Sequence, residues 1–142
     1  MTVASEPHDP VAALSAVLDE VLDIVQDVKQ AHRKVPENHE LHRELDRLFD
    51  DLRTWSRLLM DEDLQLGGSP LADIPSVAGR VPPNLWPSSA SDDEVRTVLS
   101  EHLDRMAVHL AEALAAQTDD GARAVLGQIQ AGLADHLRAL RP

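Results

Sequence analysis

Residues 41–68 read LHRELDRLFDDLRTWSRLLMDEDLQLGG. Within them Leu41, Leu45, Leu48, Leu52, Trp55 and Leu59 recur at intervals of three and four, the period of one helix face. Leu66-Gly67-Gly68 closes the run, because glycine takes the left-handed conformation of a helix C-cap without a steric penalty. Upstream, Val35-Pro36 stops any helix arriving from the N-terminal side, since proline disfavours helical geometry in the residue before it. The short connection at 33–38 therefore joins two helices as an antiparallel hairpin.

The first helix of that hairpin opens at Asp9-Pro10, with Asp as N-cap and Pro in the first turn, where its missing N–H costs nothing. Leu14, Leu18, Val21, Val25 and Val28 form its apolar stripe, and Asp19, Glu20, Asp23 and Asp27 fall on the other side. Four residues beyond Val28, the same stripe reaches His32 and turns its imidazole toward the packed side.

Beyond the hairpin the composition changes. Pro70, Pro75, Pro82, Pro83 and Pro87, with Gly67, Gly68 and Gly79, rule out a long helix between Gly67 and Ala90. Leu71, Ile74, Val77 and Trp86 predict that this crossover packs against the rest of the chain. Ser91-Asp92-Asp93-Glu94 is a capping box. It opens a third helix with Val95, Leu99, Leu103, Met106, Leu110 and Leu114 on one face. Asp119-Asp120-Gly121 predicts a turn, and a fourth helix carries Leu126, Ile129, Leu133, Leu137 and Leu140. The fold class is all-α: a four-helix bundle with one long Pro/Gly-rich crossover between the second and third helices. It is a single domain over residues 1–142, with residues 1–9 as a flexible N-terminus.

A chain of 142 residues suffices for one hydrophobic core without staples. It contains no cysteine, so any metal must be held by carboxylates and imidazoles. The formal charge is −12, from 25 acids against 13 bases. The first ten residues hold Glu6 and Asp9 and no Lys or Arg. Nucleic-acid binding needs a basic footprint, so no direct binding is expected. Met1 to Pro10 lacks the pattern of a signal peptide, and no apolar run reaches membrane-span length. A soluble cytoplasmic protein is the expectation.

His42 and Asp46 are four residues apart and share one helix face. They lie on a polar rail with Asp50, Arg53, Arg57 and Asp61, beside the core stripe. His42 and Asp61 are roughly 28 Å apart at 1.5 Å per residue, so one chain cannot bring both to one metal. Two second helices packed antiparallel across a two-fold axis would do so. The remaining histidines have plainer readings. His39, His102 and His109 read as surface or hydrogen-bonded residues, and His136, beside the fourth stripe, as packed with its ring N–H bonded. Trp55 and Trp86 read as core or interface anchors. Apart from the spacing argument, Asp61-Glu62-Asp63 reads as solvated charge.

Lys29-Gln30-Ala31-His32, Leu41-His42 followed by Asp46, and Leu66-Gly67-Gly68 resemble, in order and nearly in spacing, the first helix pair of the Dps-like mini-ferritins. The resemblance implies a ferritin-like bundle assembled as a homo-oligomer, a hollow shell of twelve subunits. It implies iron binding and storage, Fe(II) oxidation by peroxide or oxygen at inter-subunit sites, and protection against oxidative stress. It makes His32, His42 and Asp46 metal ligands from one chain and Asp61 a ligand from its neighbour. Asp61 is shorter than the family's Glu, Arg33 stands where the family has Trp, and the stretch from His32 to His42 is shorter than the family's.

Arg57 is the sharpest departure, because the family carries a carboxylate there. A guanidinium stays charged and offers five donors in a fixed fork. One expectation has Arg57 paired with Asp46 or Asp61, replacing the metal's charge and leaving a catalytically inactive shell or interaction protein. Another has Arg57 turned out, with His32, His42, Asp46 and Asp61 holding one iron. Zinc and manganese suit the same ligand types. A monomeric helical-bundle metalloenzyme of the DinB-like type also places histidines on bundle helices.

Overall fold

The computed structural model describes residues 9–70 and 90–142. Four helices run through them, with no strand among the described residues: α1 (Pro10–Lys34), α2 (Glu40–Gln65), α3 (Asp92–Ala116) and α4 (Asp120–Leu140). No helix among them is long and apolar enough to cross a membrane.

Each helix end has a local chemical cause. The Asp9 carboxylate accepts a hydrogen bond from the Val11 N–H at 3.1 Å, and Pro10 occupies the first helical position. Asp9 thus belongs to the cap of α1, and the rest of the expected flexible N-terminus lies outside the described residues. Val35, ahead of Pro36, is extended at φ −100° and ends α1. At the end of α2, Gly67 has φ 87°. Its N–H donates to the Leu64 carbonyl, and the Gly68 N–H donates to the Asp63 carbonyl at 2.9 Å. This crossed pair of bonds satisfies carbonyls the helix leaves over.

At the start of α3, Ser91 and Glu94 exchange side-chain-to-backbone bonds at 3.2 Å, closing the capping box. The turn before α4 sits slightly earlier than the sequence predicts. Asp119 is the N-cap, accepting from Ala122 N–H at 2.9 Å, and Asp120 and Gly121 already belong to the first turn of α4. An aspartate that caps a helix and an aspartate in a turn present the same residue pattern, which explains the shift.

Cross-helix pairs set the helix directions. His102 and His109 of α3 meet Asp27 and Glu20 of α1, at 2.5 and 2.7 Å, so these helices are antiparallel. His136 of α4 meets Asp51 of α2 at 2.6 Å, and Gly132 lies against Trp55, so these two are antiparallel as well. The hairpin makes α1 and α2 antiparallel. His39, ahead of α2, contacts Asp92, the first residue of α3, at 2.9 Å. Hence α2 and α3 start at the same end and run in the same direction. The predicted crossover, with Leu71, Ile74, Val77 and Trp86, falls at residues 71–89, outside the described residues.

The four stripes meet in one aliphatic core. Every predicted apolar stripe residue is buried except Leu114, which is partly buried, as is His32 where the first stripe ends. Trp55 is the aromatic member of the buried set, and the His136 ring stands edge-on to it, centroids 5.9 Å apart. Three acids depart from the expected pattern. Asp27, predicted on the solvent side, is 4% exposed and paired with His102. Asp63, in the run that reads as solvated charge, is fully buried and accepts from the Ser15 hydroxyl at 3.1 Å. Glu44 is buried too, held by Arg96. All three sit three or four residues from a stripe leucine or isoleucine (Ile24, Leu59, Leu41), which is the signal for a buried charge on the core face.

Two glycines of α4 give a paired prediction. A Cβ on Gly132 would lie 2.8 Å from Trp55 Cζ2, whereas one on Gly127 would meet nothing within 4 Å. Both substitutions to Ala gain about the same helix propensity, roughly 1 kcal/mol. Gly127→Ala is expected to raise stability, and Gly132→Ala to fall below it by about 1–3 kcal/mol of overpacking against a ring that has no room to retreat. Urea denaturation of the two variants reads the difference directly.

Candidate metal centre

His32 lies in the last turn of α1, and His42 and Asp46 lie one turn apart at the start of α2. The tight connection through Val35 and Pro36 folds these turns against each other. His32 Nε2 is 2.7 Å from Asp46 Oδ1, and His42 Nε2 is 3.9 Å from Asp46 Oδ2. The two imidazole centroids are 4.0 Å apart, with the rings tilted by 39°. One ligand atom from each residue falls within 4.8 Å of the others.

The backbone selects the tautomer of His42. Its Nδ1 is 3.1 Å from the Val35 carbonyl, which can only accept, so Nδ1 carries the proton and donates. That leaves the Nε2 lone pair toward Asp46. A backbone carbonyl orienting a ligating imidazole in this way is the usual support around a metal. The carbonyl is available because Val35 has left the helix ahead of Pro36. His42 is largely enclosed, with 14% of its side chain exposed, whereas Asp46 is 56% exposed and faces outward. The cluster opens into a pocket of about 320 Å³ lined by Val28, Lys29, His32, Arg33, Asp46 and Phe49.

Two imidazoles and a carboxylate are a donor set for Fe(II), zinc or manganese. Without a cation, His32 Nε2 and Asp46 Oδ1 are hydrogen-bonded to each other, so a metal would enter by replacing that contact. Three protein ligands leave further coordination positions open.

The structure brings together three of the four expected ligands. Asp61 is exposed on α2, roughly 22 Å along the helix axis from Asp46, and Arg57 is exposed roughly 16 Å from it. Neither reaches the cluster within one chain. The other described histidines each bind one carboxylate across a helix seam, and none is grouped with a second imidazole: His39 with Asp92, His102 with Asp27, His109 with Glu20 and His136 with Asp51. His39, His102 and His109 are surface or hydrogen-bonded residues as read from the sequence, and His136, 12% exposed and edge-on to Trp55, is the packed one. Sequence reasoning missed the Val35 carbonyl and Phe49. For Val35, the signal was the X-Pro step that frees its carbonyl. For Phe49, it was a lone aromatic one turn from Asp46 (three residues on).

Fold and site together define an all-helical bundle with a cluster of two imidazoles and one carboxylate at its hairpin end. No protein-family model matches the chain, and no curated protein does.

Proposed function

We propose that this chain is a ferritin-like bundle protein of the Dps-like kind, binding and storing iron as a homo-oligomeric cytoplasmic shell and limiting peroxide-driven damage. The convergence of His32, His42 and Asp46, with His42 oriented by the Val35 carbonyl, carries the reading. The helix directions support it as well. α2 ends at the far end of the bundle from the start of α3, the helix placement that a ferritin-like fold joins with its one long crossover. Fe(II) is the substrate and cargo. His32 and His42 supply neutral nitrogen donors, Asp46 supplies charge, and Asp61 of a second copy completes the ligand set. The acidic balance of −12 concentrates cations near such a shell.

Anaerobic Fe(II) titration of the size-fractionated protein, followed by peroxide, tests the proposal. The expected result is a large assembly that oxidises iron faster than buffer and keeps more than one or two irons per chain in solution. A 15.6 kDa monomer would overturn the shell. The second reading is an inactive shell or interaction protein. It draws on the cation of Arg57 where the resemblance calls for a carboxylate, and on the His32–Asp46 pair, which satisfies both groups at 2.7 Å. An assembly without oxidation, in which Arg57→Asp restores oxidation, would establish that alternative.

A further inference from the structure

The pocket beside the metal ligands is walled by cations in a chain that is otherwise acidic. Lys29 and Arg33 are four apart on α1 and line the same mouth. The chain has two lysines, Lys29 and Lys34, and both fall in the last turns of α1. Across the pocket stands Phe49. Lys29 Nζ lies 6.0 Å from its ring centroid and the Arg53 guanidinium carbon 5.9 Å, so two cations flank one aromatic ring. Val28 and Phe49 supply the apolar wall, and Asp46, a metal ligand, is the one acid among the described lining residues.

These features select a ligand class. A divalent cation on two neutral imidazoles and one carboxylate keeps one net positive charge and has open positions. Lys29 and Arg33 add two more positive charges at the mouth. An oxyanion on the metal meets all three, and the apolar wall favours one that carries a carbon body, an organic carboxylate, over an inorganic anion such as phosphate. A volume of about 320 Å³ is at the small end for ligand pockets, which restricts the occupant to a compact molecule. We infer that this pocket binds a small organic carboxylate, its carboxylate on the metal between Lys29 and Arg33 and its apolar body against Val28 and Phe49. The inference rests on the reading of His32, His42 and Asp46 as metal ligands and departs from it at Asp61, whose place on the metal the small carboxylate takes. It adds that iron held here carries an exogenous carboxylate.

Cobalt(II) as the metal and benzoate as the carboxylate test it, with acetate and inorganic phosphate as comparisons. The visible spectrum of cobalt reports metal binding first and the added anion second. Benzoate should change the spectrum of the cobalt-loaded protein saturably and more tightly than acetate, and should not bind the metal-free protein. Lys29→Ala and Arg33→Ala should each weaken benzoate about tenfold, the loss of one hydrogen bond to a charged group, and leave cobalt affinity unchanged. Phe49→Leu should erase the preference for benzoate over acetate.

No cobalt spectrum would overturn both the metal reading and this one. A cobalt spectrum indifferent to benzoate would overturn this one alone, as would phosphate binding more tightly than benzoate. A benzoate response seen only after Asp61→Asn would show that Asp61 of a second copy fills the position, and would also overturn it.

Discussion

Arg96→Ala is expected to lower the stability of the bundle by about 3–5 kcal/mol, the usual cost of removing one partner of a buried ion pair. Arg96, on α3, donates from one nitrogen to Glu44 on α2 at 2.8 Å and to the Ala139 carbonyl on α4 at 2.9 Å. Only 16% of the Arg96 side chain and 9% of the Glu44 side chain are exposed. Truncation leaves the Glu44 carboxylate enclosed without its cation, whereas the exposed Ala139 carbonyl can turn to water. For a chain of this length the loss corresponds to a fall in Tm of roughly 10–17 °C. The double replacement Glu44→Leu with Arg96→Met should recover most of that loss, because the charge and its partner leave together. Denaturation of wild type, Arg96→Ala and the double variant is the measurement. An Arg96→Ala protein as stable as wild type would mean that water solvates Glu44 and that the clamp does not hold the three helices.

The clamp also marks the limit of what a sequence reveals. Helix stripes repeat within a few residues, so Leu14 to Val28 and Leu41 to Leu59 could be read from spacing alone, and all are buried. Caps are equally local. Asp9-Pro10, Ser91 to Glu94 and Gly67 each act on a backbone group within a few positions. Glu44 and Asp63 differ, because their partners Arg96 and Ser15 are 52 and 48 residues distant. Their placement at stripe spacing announces burial but not the partner.

The cluster of His32, His42 and Asp46 lies between these cases. His42 and Asp46 share a face by helix geometry. The break at Val35-Pro36 dictates a hairpin short enough to bring His32 beside them. The His42 tautomer and the cationic pocket depend on side-chain directions across that hairpin, which no periodicity encodes. Asp61 and Arg57 are legible only as residues on the same rail. Helical rise separates them from the cluster within one chain.

His42→Ala is expected to weaken divalent-metal binding by about a hundredfold or more, since even losing a supporting group around a ligand costs 10- to 100-fold. His42 is the more enclosed of the two imidazoles and the one whose lone pair is aimed by the backbone, through the 3.1 Å bond to Val35. Asp46→Asn should weaken binding as well, keeping an oxygen but losing the charge. His109→Ala is the control. That ring is 56% exposed, pairs with Glu20 alone, and should leave metal affinity unchanged. Stability reports the same equilibrium. A ligand at a hundred times its Kd stabilises the folded state by about 2.7 kcal/mol, so metal should raise the wild-type Tm and the His109→Ala Tm alike. The rise should vanish in His42→Ala at the same metal concentration. If His42→Ala kept the full rise, the cation would be bound elsewhere on the chain. His32, His42 and Asp46 would then be hydrogen-bonded hairpin residues, with His32 and Asp46 joined through a shared proton and His42 tied to the Val35 carbonyl.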